Sequence, residues 1–429
     1  MNISRAKRIA GELQLPGDKS ISHRAALIAA LAKGKSQISN FSSALDCAST
    51  LSCLAQLGVQ VERSGNNVLI AGTNELKRPS AVLDCGNSGS TMRILAGILA
   101  RQDFDCQLGG DASLNSRPMG RIIEPLELMG ARFEANEGKP PLIVHGTKEI
   151  KPINYKMPVA SAQVKSAILF AGLGAEGRTQ VRESILSRDH TERLFNGFGV
   201  KVTTDDALTV TLEGPAQLSG GDITVPGDVS SAAYFVAAAF LIPGSELTIR
   251  GVGLNPTRAR FLSVLSSWGA IISTGDLIEE RNEPIGNITV RGGFSSLDPA
   301  VERSIEKATI PSVIDELPLL AVVGTQVPGG ITIRDAAELR HKESDRLKAT
   351  AINLRKMGAE VEEHADGLTV FGPTQLKGAS IDSFGDHRIA MSFTVAALIA
   401  DGPTEITGAE CVNISFPEFF QLLDSLTIS

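Results

Sequence analysis

Pro16-Gly-Asp-Lys-Ser-Ile-Ser-His-Arg-Ala-Ala-Leu-Ile-Ala-Ala-Leu31 begins with polar and charged residues and continues as an almost wholly apolar stretch of helical length. A helix that is apolar all round must be buried, so only its polar first turn can face water. That first turn also carries unpaired N–H groups and the positive end of the helix dipole, which favour anions. The stretch therefore predicts a buried helix whose start binds negative charge.

Five later stretches repeat this pattern of a polar start followed by an apolar helix. They are Asn87–Leu99, Ser161–Phe170, Gly227–Val236, Pro311–Ala321 and Gly385–Leu398. Together the six helix starts predict one cleft that holds negative charge.

A second repeat alternates with the first. In each copy an amphipathic helix ends at a glycine and a strand follows; the glycines are Gly58, Gly130, Gly199, Gly269 and Gly358. A helix C′ position commonly needs a positive φ, which glycine adopts without steric cost. Phe416–Leu426 resembles a sixth, shortened copy. Runs with β-branched residues lie between the two helix types, at 36–41, 179–183, 246–251, 330–334 and 404–407. The predicted unit is buried helix, strand, surface helix, strand.

The length of the chain favours two domains. At 429 residues it exceeds the length at which a single core stops growing, which is about 250–300 residues. Six units divide into two groups of three. The segments Leu15–Asp18 and Val225–Asp228 both read Pro-Gly-Asp after a strand, a turn that can redirect the chain. We expect an α/β protein with one domain formed by residues 1–17 and 227–429, an inserted domain formed by 18–226, and the active-site cleft between them.

Composition argues against several classes of protein. The net charge is −7 without a basic run, and aromatic residues make up only 4%, which disfavours nucleic-acid binding. No uncharged apolar run is long enough to span a bilayer, and the N-terminus lacks the apolar core of a signal peptide. The cysteines show no CxxC spacing and the histidines no metal-ligand spacing. We therefore expect buried thiols in a reducing cytoplasm, with no metal.

Polar residues at the helix starts are candidates for anion binding. Lys19, Ser20 and Arg24 lie on the first turns of the first buried helix, and the alternative is a capping serine with two solvated charges. Asn87–Thr91 offers N–H and hydroxyl donors at the second start, where Gly89 lets the backbone approach a phosphate and Arg93 follows.

More cations stand at equivalent points of the repeat. They are Arg117, Arg188, Arg340, Lys342, Arg346 and Arg388, and Ser161, Ala162 and Gln163 add donors at the third helix start. Charge clusters are usually solvated, but these lie beside apolar helices. Five or more cations facing one cleft suggest a substrate with several phosphates or carboxylates.

Two acids stand out among these cations. Asp315 lies within the fifth apolar stretch, which we expect to be helical, and a carboxylate there is costly unless it is paired or functional. Glu343 lies among Lys342, Asp345 and Arg346. One acid that accepts a proton and another that donates one would suit proton transfer, and the alternative is two structural ion pairs.

Six blocks of the sequence resemble the signature blocks of the 5-enolpyruvylshikimate-3-phosphate synthase family, the 3-phosphoshikimate 1-carboxyvinyltransferases. The blocks are Leu15–Arg24, Gly86–Arg93, Arg117–Met119, Ser161–Lys165, Arg340–Leu347 and Gly385–Met391. The resemblance covers essentially the whole chain. It implies an inside-out α/β barrel fold with two domains of three βαβαββ repeats each. It also implies transfer of the enolpyruvyl group of phosphoenolpyruvate to the 5-hydroxyl of shikimate 3-phosphate, in the shikimate pathway to chorismate and aromatic amino acids, without a metal or organic cofactor.

The resemblance also implies a role for each matching residue. Shikimate 3-phosphate would be bound by Lys19, Ser20, Arg24, Ser161, Ala162, Gln163, Arg188, Asp315 and Lys342. Phosphoenolpyruvate would be bound by Lys19, Gly89, Arg117, Gln163, Arg346 and Arg388. As catalytic residues, Asp315 would take the proton of the 5-hydroxyl, Glu343 would protonate the methylene carbon, and Lys19 would contact both substrates.

The sequence departs from the best-known bacterial members at two blocks and one further position. Ser161-Ala-Gln and Arg188-Asp-His-Thr are similar to a second sequence class of the family, in which the arginine takes over phosphate binding. Ile414 stands where those members have a lysine that contacts phosphoenolpyruvate.

Two alternatives differ in testable features. The UDP-N-acetylglucosamine enolpyruvyl transferases use a loop cysteine, which Gly109–Pro118 lacks. A non-catalytic protein with this fold would be expected to lack Asp315 or the Lys342–Glu343 pair, and both are present. We expect a cytoplasmic monomer that acts on small molecules, with no nucleic-acid or membrane partner.

Overall fold

The computed structural model describes residues 1–73, 75–295 and 303–428, and contacts within the chain divide it into two units. We call residues 1–15, 227–278 and 284–429 the terminal unit, and residues 16–226 and 279–283 the insert unit. Pro16, Gly17 and 279–283, which the sequence placed in the domain with both termini, belong to the insert unit. For 279–283 the reason is local, because Arg281 donates to the carbonyl oxygens of Gly197 and Asp222, at 2.7 and 2.9 Å.

Strands β1 (Asn2–Ile3) and β2 (Arg8–Gln14) open the chain, and three repeats of one pattern follow in the insert unit. The first repeat contains α1 (Lys19–Leu31), β3 (Lys35–Ser39), α2 (Leu45–Gln56), β4 (Gln60–Ser64) and β5 (Asn67–Ala71). The second contains β6 (Leu83–Asp84), α3 (Gly89–Leu99), β7 (Asp105–Gly109), α4 (Ala112–Asn115), α5 (Gly120–Leu128), β8 (Arg132–Asn136) and β9 (Lys139–His145). The third contains β10 (Asn154–Lys156), α6 (Ala162–Gly172), β11 (Gly177–Arg182), α7 (His190–Gly197), β12 (Val202–Thr204) and β13 (Thr209–Gly214), and β14 (Ile223–Thr224) ends the unit.

The terminal unit repeats the pattern. Its first repeat contains α8 (Val229–Leu241), β15 (Glu246–Gly253), α9 (Arg260–Ser267), β16 (Ala270–Glu280) and β17 (Glu283–Phe294), and only residues 279–283 of this last hairpin belong to the insert unit. The second contains β18 (Ser304–Ile305), α10 (Ile310–Val313), α11 (Leu317–Gly324), β19 (Ile331–Ile333), α12 (Arg346–Lys356), β20 (Val361–His364) and β21 (Gly367–Val370). The last contains β22 (Ser380–Asp382), α13 (His387–Ile399), β23 (Thr404–Thr407), α14 (Phe419–Leu426) and β24 (Thr427–Ile428). Short 3₁₀ helices lie at Lys307–Thr309, Ala337–His341 and Ala409–Ile414.

One strand order recurs in the sheets. The orders are β14-β3-β5-β4, β6-β7-β9-β8 and β10-β11-β13-β12 in the insert unit, and β18-β19-β21-β20, β16-β17-β15-β2-β24 and β1-β23-β22 in the terminal unit. The strands on either side of a buried helix pair in parallel, and the remaining pairs within a repeat are antiparallel. In the terminal unit β2 pairs in parallel with β15, with Ala10 opposite Glu246. The predicted βαβαββ repeat is confirmed.

Each unit has its own core, with apolar helices inside and sheets outside. In the insert unit α1 is buried from Ile21 to Leu31, and it packs with α3 and α6 into one hydrophobic cluster. In the terminal unit α8, α11 and α13 form the corresponding centre. The surface helices bury one face only, as α14 does with Phe419, Leu423 and Leu426. The helix that is apolar all round therefore lies at the centre of its unit.

The five stop glycines all have the conformation that the sequence predicts. Gly58, Gly130, Gly199, Gly269 and Gly358 have φ values of 86°, 109°, 88°, 91° and 87°. The five cysteines are free and buried. Among the helices that the described ranges contain, none is long and apolar enough to cross a membrane.

The fifth apolar stretch is not one helix, so the prediction that Asp315 lies within a helix is wrong. α10 ends at Val313, α11 begins at Leu317, and Ile314–Glu316 forms a turn between them. Pro318 explains the break, because a proline lacks the N–H donor and clashes with the carbonyl group four residues earlier, here that of Ile314. The turn carries two adjacent acids, Asp315 and Glu316, on irregular backbone directly before the start of α11.

Gly97 allows a close contact between α3 and α6 to be tested. A Cβ atom at Gly97 of α3 would lie 2.1 Å from the carbonyl oxygen of Ala167 on α6. We expect Gly97→Ala to lower the free energy of unfolding by about 1–3 kcal/mol, the usual cost of overpacking. Urea titration measures the change. The control is Gly120→Ala at the start of α5, where a Cβ meets nothing within 4 Å; equal stability of the two variants would contradict the packing argument.

Candidate active site

In the insert unit, hydrogen bonds between polar side chains join the starts of α1, α3 and α6. Gln163 at the start of α6 accepts from Nη1 of Arg93 at 2.8 Å and donates to Oγ of Ser90 at 2.9 Å, both on α3. Arg24 of α1 donates to Oγ of Ser166 on α6 at 2.9 Å. This unit therefore brings three of the six helix starts together. That all six face one cleft stays a prediction.

At the start of α1, Asp18 caps the helix and Lys19 pairs with a carboxylate. Asp18 Oδ1 accepts the N–H of Ile21 at 2.9 Å, so the alternative in which Ser20 is the cap is wrong. Lys19 Nζ lies 2.9 Å from Oδ2 of Asp46, and its side chain is 21% exposed. Lys19 is therefore a partly accessible cation at a helix start, which suits anion binding.

Arg24 is buried and hydrogen-bonded within the protein. Its side chain donates to Oγ1 of Thr191 at 2.8 Å, to the carbonyl oxygen of Ser20 at 3.0 Å and to Ser166. Burial lowers the pKa of Arg24 to about 10, although Glu192 acts in the opposite direction. Arg24 is therefore still charged at neutral pH, in an interior position that connects α1, α6 and α7.

Two guanidinium groups flank the start of α3. A Cβ at Gly89 would lie 2.7 Å from Nη1 of Arg93 and 3.5 Å from Nη1 of Arg117. Arg117 Nη2 donates to Oδ1 of Asn87 at 2.8 Å and to Oγ of Ser113 at 3.2 Å. Glycine at position 89 therefore keeps backbone and cations close together, an arrangement suited to a phosphate or carboxylate.

Two hydroxyls that the sequence offered as ligand donors serve the protein interior instead. Ser88 caps α3 by accepting the N–H of Thr91 at 3.1 Å, and both residues are buried. The Thr91 hydroxyl lies 2.7 Å from Ser88 Oγ and 2.7 Å from Thr50 Oγ1. These two hydroxyls therefore stabilise the start of α3 through hydrogen bonds within the protein and do not face a ligand.

Ser161, Ala162 and Arg188 are half-buried in the third repeat of the insert unit. Ser161 caps α6, accepting the N–H of Val164 at 3.4 Å, and Ala162 is the first helical residue. Arg188 lies in the segment between β11 and α7, two residues before α7 begins. Thr191, the second residue of α7, receives the Nε–H of Arg24.

Arg346 lies at the centre of the terminal unit's charged group. Its Nε donates to Oδ2 of Asp386 at 2.8 Å, its Nη1 to Oδ1 of Asp315 at 3.3 Å, and its Nη2 to Oε2 of Glu343 at 2.6 Å. Burial alone would lower the pKa of Arg346, but Asp386, Glu343 and Asp315 outweigh burial and raise it. The two acids chosen from sequence therefore share one guanidinium group, so part of the alternative, that they form ion pairs, is correct.

Arg388 connects the starts of α13 and α8. Its Nη1 donates to Oγ of Ser230 at 3.1 Å and to the hydroxyl of Tyr234 at 3.4 Å, and lies 3.9 Å from Glu316 Oε1. Burial opposes the charge of Arg388, but Tyr234, Asp315 and Glu316 outweigh burial and raise its pKa. The terminal unit thus joins its own three helix starts, those of α8, α11 and α13.

Glu316 and Arg258 are the main residues that the sequence reasoning missed. Glu316 is 1% exposed, and its carboxylate accepts from the hydroxyl of Ser230. Arg258, 3% exposed, lies 3.7 Å from Asp315, 4.0 Å from Glu316 and 3.8 Å from Asp228. Glu316 stands next to Asp315 in the same apolar stretch, so the rule that an acid in an apolar stretch is paired or functional could have selected it as well. Arg258 lies on a turn before α9, and no motif or spacing in the sequence marks it as a site residue.

Other cations of the predicted cluster have different surroundings. Arg340 donates to Asp345 at 2.8 Å, to Glu363 at 3.0 Å and to two backbone carbonyls, so its role is structural. Lys342 is partly exposed, with Nζ 3.4 Å from Glu338. Ile414 ends a 3₁₀ helix and is partly buried. In the part of the chain described, no group of three or more His, Cys, Asp or Glu side chains could hold a metal ion.

The fold is that of the enolpyruvyl transferases. The solved structure of the enolpyruvyl transferase NikO from Streptomyces tendae superposes with a TM-score of 0.80 at 17% identity, over 99% of this chain and 96% of that chain. At this identity the likeness shows the fold alone.

Sequence comparison then gives the family. The family model of EPSP synthase (3-phosphoshikimate 1-carboxyvinyltransferase) matches residues 3–423. A 3-phosphoshikimate 1-carboxyvinyltransferase from Akkermansia muciniphila is 51% identical over 95% of each chain, and one from Solibacter usitatus is 48% identical over 99% of each. An EPSP synthase from Acinetobacter baumannii superposes with a TM-score of 0.88 at 38% identity, over 100% of this chain and 98% of that chain. This chain belongs to the EPSP synthase family.

His23 provides a pH-dependent test of the insert-unit site. The buried ring lies on α1, with Nδ1 2.7 Å from Thr50 Oγ1, and burial, helped by Lys19 and Arg24, keeps its pKa well below the usual range. The unfolded chain binds a proton on this histidine near its ordinary pKa of about 6.5. Stability therefore falls as the pH drops below that value, by up to about 1.4 kcal/mol per pH unit.

We expect His23→Gln to lose less stability than the unmodified protein between pH 7.5 and pH 5.5. Urea unfolding at the two pH values measures the difference. His341→Gln, at an exposed position, is the control and should behave like the unmodified protein. An unchanged pH dependence in His23→Gln would show that His23 is not held neutral.

Proposed function

We propose that the residues joined in the two units carry out the reaction of the EPSP synthase family. That reaction transfers the enolpyruvyl group of phosphoenolpyruvate to the 5-hydroxyl of shikimate 3-phosphate and releases phosphate. It belongs to the shikimate pathway, which leads to chorismate and the aromatic amino acids. The observation that carries the assignment of roles is the position of Asp315 and Glu343 on the single guanidinium group of Arg346.

Shikimate 3-phosphate would be held mainly by the insert unit. Its candidate contacts are Lys19, Ser20, Arg24, Ser161, Ala162, Gln163 and Arg188, with Lys342 and Asp315 added by the terminal unit. The start of α6 offers backbone N–H groups to a phosphate. Arg24 is buried among hydroxyls, so we propose that its charge acts on the phosphate through the field at the joined helix starts as well as by contact.

Phosphoenolpyruvate would be held by cations of both units. Its candidate contacts are Lys19, Gly89, Arg117, Gln163, Arg346 and Arg388. Arg93 lies beside Gly89 and Gln163, and we add it to this group as the residue that orients the Gln163 amide. Because Ile414 stands in place of the family lysine, the positive charge would come from the lysine and arginines of this group.

The environment of Glu343 suits a proton donor that is switched by substrate. Arg346 lies 2.6 Å from Glu343, and a cation at this distance favours an ionised carboxylate. When anionic phosphoenolpyruvate takes over this guanidinium group, Glu343 loses its cation and gains a negative neighbour. Both changes favour the protonated carboxylic acid, the form that can donate a proton to the methylene carbon.

The remaining steps follow from that proton transfer. Protonation turns the methylene carbon into a methyl group and makes C2 electrophilic. The 5-hydroxyl oxygen attacks C2 while Asp315 takes the hydroxyl proton, giving a tetrahedral ketal phosphate. A methyl proton then returns to Glu343, the double bond re-forms, the C2–O bond to phosphate breaks, and the proton held by Asp315 passes to the departing phosphate. Orientation and stabilisation of charge supply most of the rate enhancement.

We also propose that the protein acts as a monomer in the cytoplasm. The buried free cysteines suit a reducing compartment.

A phosphate-release assay with two acceptors tests the proposed reaction. We expect phosphoenolpyruvate and shikimate 3-phosphate to release phosphate, and phosphoenolpyruvate with UDP-N-acetylglucosamine to release none. Release with the nucleotide sugar alone would assign the chain to the other reaction, and release with neither would support a non-catalytic role.

Asp315→Asn tests the general base. We expect kcat to fall by about 10²–10⁴, the usual effect of losing general acid–base catalysis, while both substrates still bind measurably. Steady-state kinetics and calorimetric titration give the two quantities. Asp424→Asn on the exposed face of α14 removes the same charge elsewhere and should leave kcat unchanged. Near-normal turnover of Asp315→Asn would exclude this role.

Lys19→Met tests the contact with both substrates. We expect KM for shikimate 3-phosphate and KM for phosphoenolpyruvate to rise together, by about tenfold or more, because a charge-assisted contact contributes on the order of 1.5–3 kcal/mol. Lys33→Met, exposed just after the other end of α1, is the matched control. A rise in only one of the two KM values would contradict the bridging position of Lys19.

A further inference from the structure

Lys165 is a buried cation that the proposed mechanism does not use. It lies on α6, one turn after Ser161, and its side chain is 0% exposed. Its Nζ lies 2.6 Å from Oε2 of Glu183 and 2.7 Å from Oε1 of Glu192. Glu183 follows β11 and Glu192 lies on α7, so three successive elements of the third repeat meet at this ammonium group.

The cluster carries charge in the interior of the insert unit. Burial works against the charge of Lys165, but Glu192 and Glu183 outweigh burial and raise its pKa. Buried ion pairs contribute little net stability, because desolvation offsets their attraction, whereas loss of one partner is costly. A gain in stability is therefore a weak explanation for this cluster. A better explanation is that the cluster positions the neighbouring segment, which contains Arg188.

The cluster fixes both ends of the segment that contains Arg188. At one end, Oε1 of Glu183 accepts the backbone N–H of Ser187 at 3.3 Å. At the other end, Glu192 follows Thr191, whose Oγ1 accepts from Arg24 at 2.8 Å and lies 2.7 Å from Oγ of Ser166 on α6. Residues 187 and 191 are thus tied to α6, directly or through a carboxylate that Lys165 binds.

We propose that Lys165, Glu183 and Glu192 form a positioning cluster that holds Arg188 where it contacts the phosphate group of shikimate 3-phosphate. The inference rests on the proposed function, which gives Arg188 that contact. The cluster does not touch the substrate. It orders residues 187–192 before the ligand arrives, so binding does not have to bear the entropy of fixing the arginine. It also places that arginine relative to Ser161–Gln163, the other phosphate-binding start, because Lys165 belongs to the same helix.

The test is a variant in which the cluster loses its charges but keeps its shape, Lys165→Met/Glu183→Gln/Glu192→Gln. It avoids leaving a buried charge without a partner, which a single substitution of Lys165 would do. We expect the Kd and KM for shikimate 3-phosphate to rise at least tenfold, while KM for phosphoenolpyruvate changes less than twofold. Calorimetric titration with shikimate 3-phosphate and steady-state kinetics measure these values, and circular dichroism verifies the fold.

A double-mutant cycle with Arg188→Ala separates positioning from general stabilisation. If the cluster acts through Arg188, adding the triple substitution to Arg188→Ala causes less than a twofold further loss of affinity for shikimate 3-phosphate. The matched control is Arg178→Met/Glu213→Gln, which removes an exposed ion pair with a 2.7 Å contact from the same sheet. The control should bind shikimate 3-phosphate as the unmodified protein does.

Unchanged affinity in the triple variant, or losses that add fully to those of Arg188→Ala, would overturn the inference. If the triple variant does not fold, Glu183→Gln alone keeps the Lys165–Glu192 pair and weakens the acceptor of the Ser187 N–H. It should raise KM for shikimate 3-phosphate at least threefold, and no rise would overturn the inference as well. If the unmodified protein neither binds nor turns over shikimate 3-phosphate, the proposed function fails, and the inference fails with it. Normal turnover by the unmodified protein with unchanged affinity in the variants rejects the positioning cluster alone.

Discussion

A helix that is apolar on every side is stable in water only when protein surrounds it, and this constraint organises both units. α8 shows it most clearly, since every residue from Ala232 to Leu241 is buried. Such a helix has to lie at the centre, with sheets and amphipathic helices around it. Its polar start is the one part that must reach the edge of the core, so three central helices in one unit bring three polar starts close together.

The two units use the joined helix starts in different ways. In the insert unit cations predominate among the candidate side chains, with Lys19, Arg93, Arg117 and Arg188 at or near the starts. In the terminal unit the arginines are paired with carboxylates: a single arginine, Arg346, contacts three of them, Asp315, Glu343 and Asp386. A cationic surface suits binding of phosphate and carboxylate, whereas carboxylates held by arginines suit proton transfer. The division matches a reaction in which two anions have to be bound and two protons moved.

Local rules made most of the fold predictable from sequence. The stop glycines were found correctly because a positive φ is a property of one residue and its immediate neighbours, as at Gly199. The repeat was found because apolar periodicity reflects burial directly. The break at Pro318 was missed because the apolar pattern continues across it, although the proline itself carried the signal.

The partners of the charged residues could not be predicted in the same way. Arg24 and Arg346 were chosen because cations at helix starts attract anions, yet both are buried and hydrogen-bonded to the protein itself. Contacts such as Arg258 with Asp315 join residues far apart in sequence, and no spacing rule reports them. Glu316 was within reach of the rule that selected Asp315, but the rule cannot tell which of two adjacent acids faces a ligand.

The contacts of Arg346 with three carboxylates also bear on how a substrate anion would bind there. If Arg346 binds a substrate anion as proposed, that anion would replace one of the three carboxylates that share the guanidinium group. The exchange costs less than it would at a hydrated arginine, because the group has lost its water already and its position is fixed. The exchange would also change the charge state that the displaced carboxylate prefers, and it would thereby couple substrate binding to the proton that the proposed reaction needs. Two of the carboxylates that pair with Arg346, those of Asp315 and Glu343, would therefore become the base and the acid of the proposed reaction.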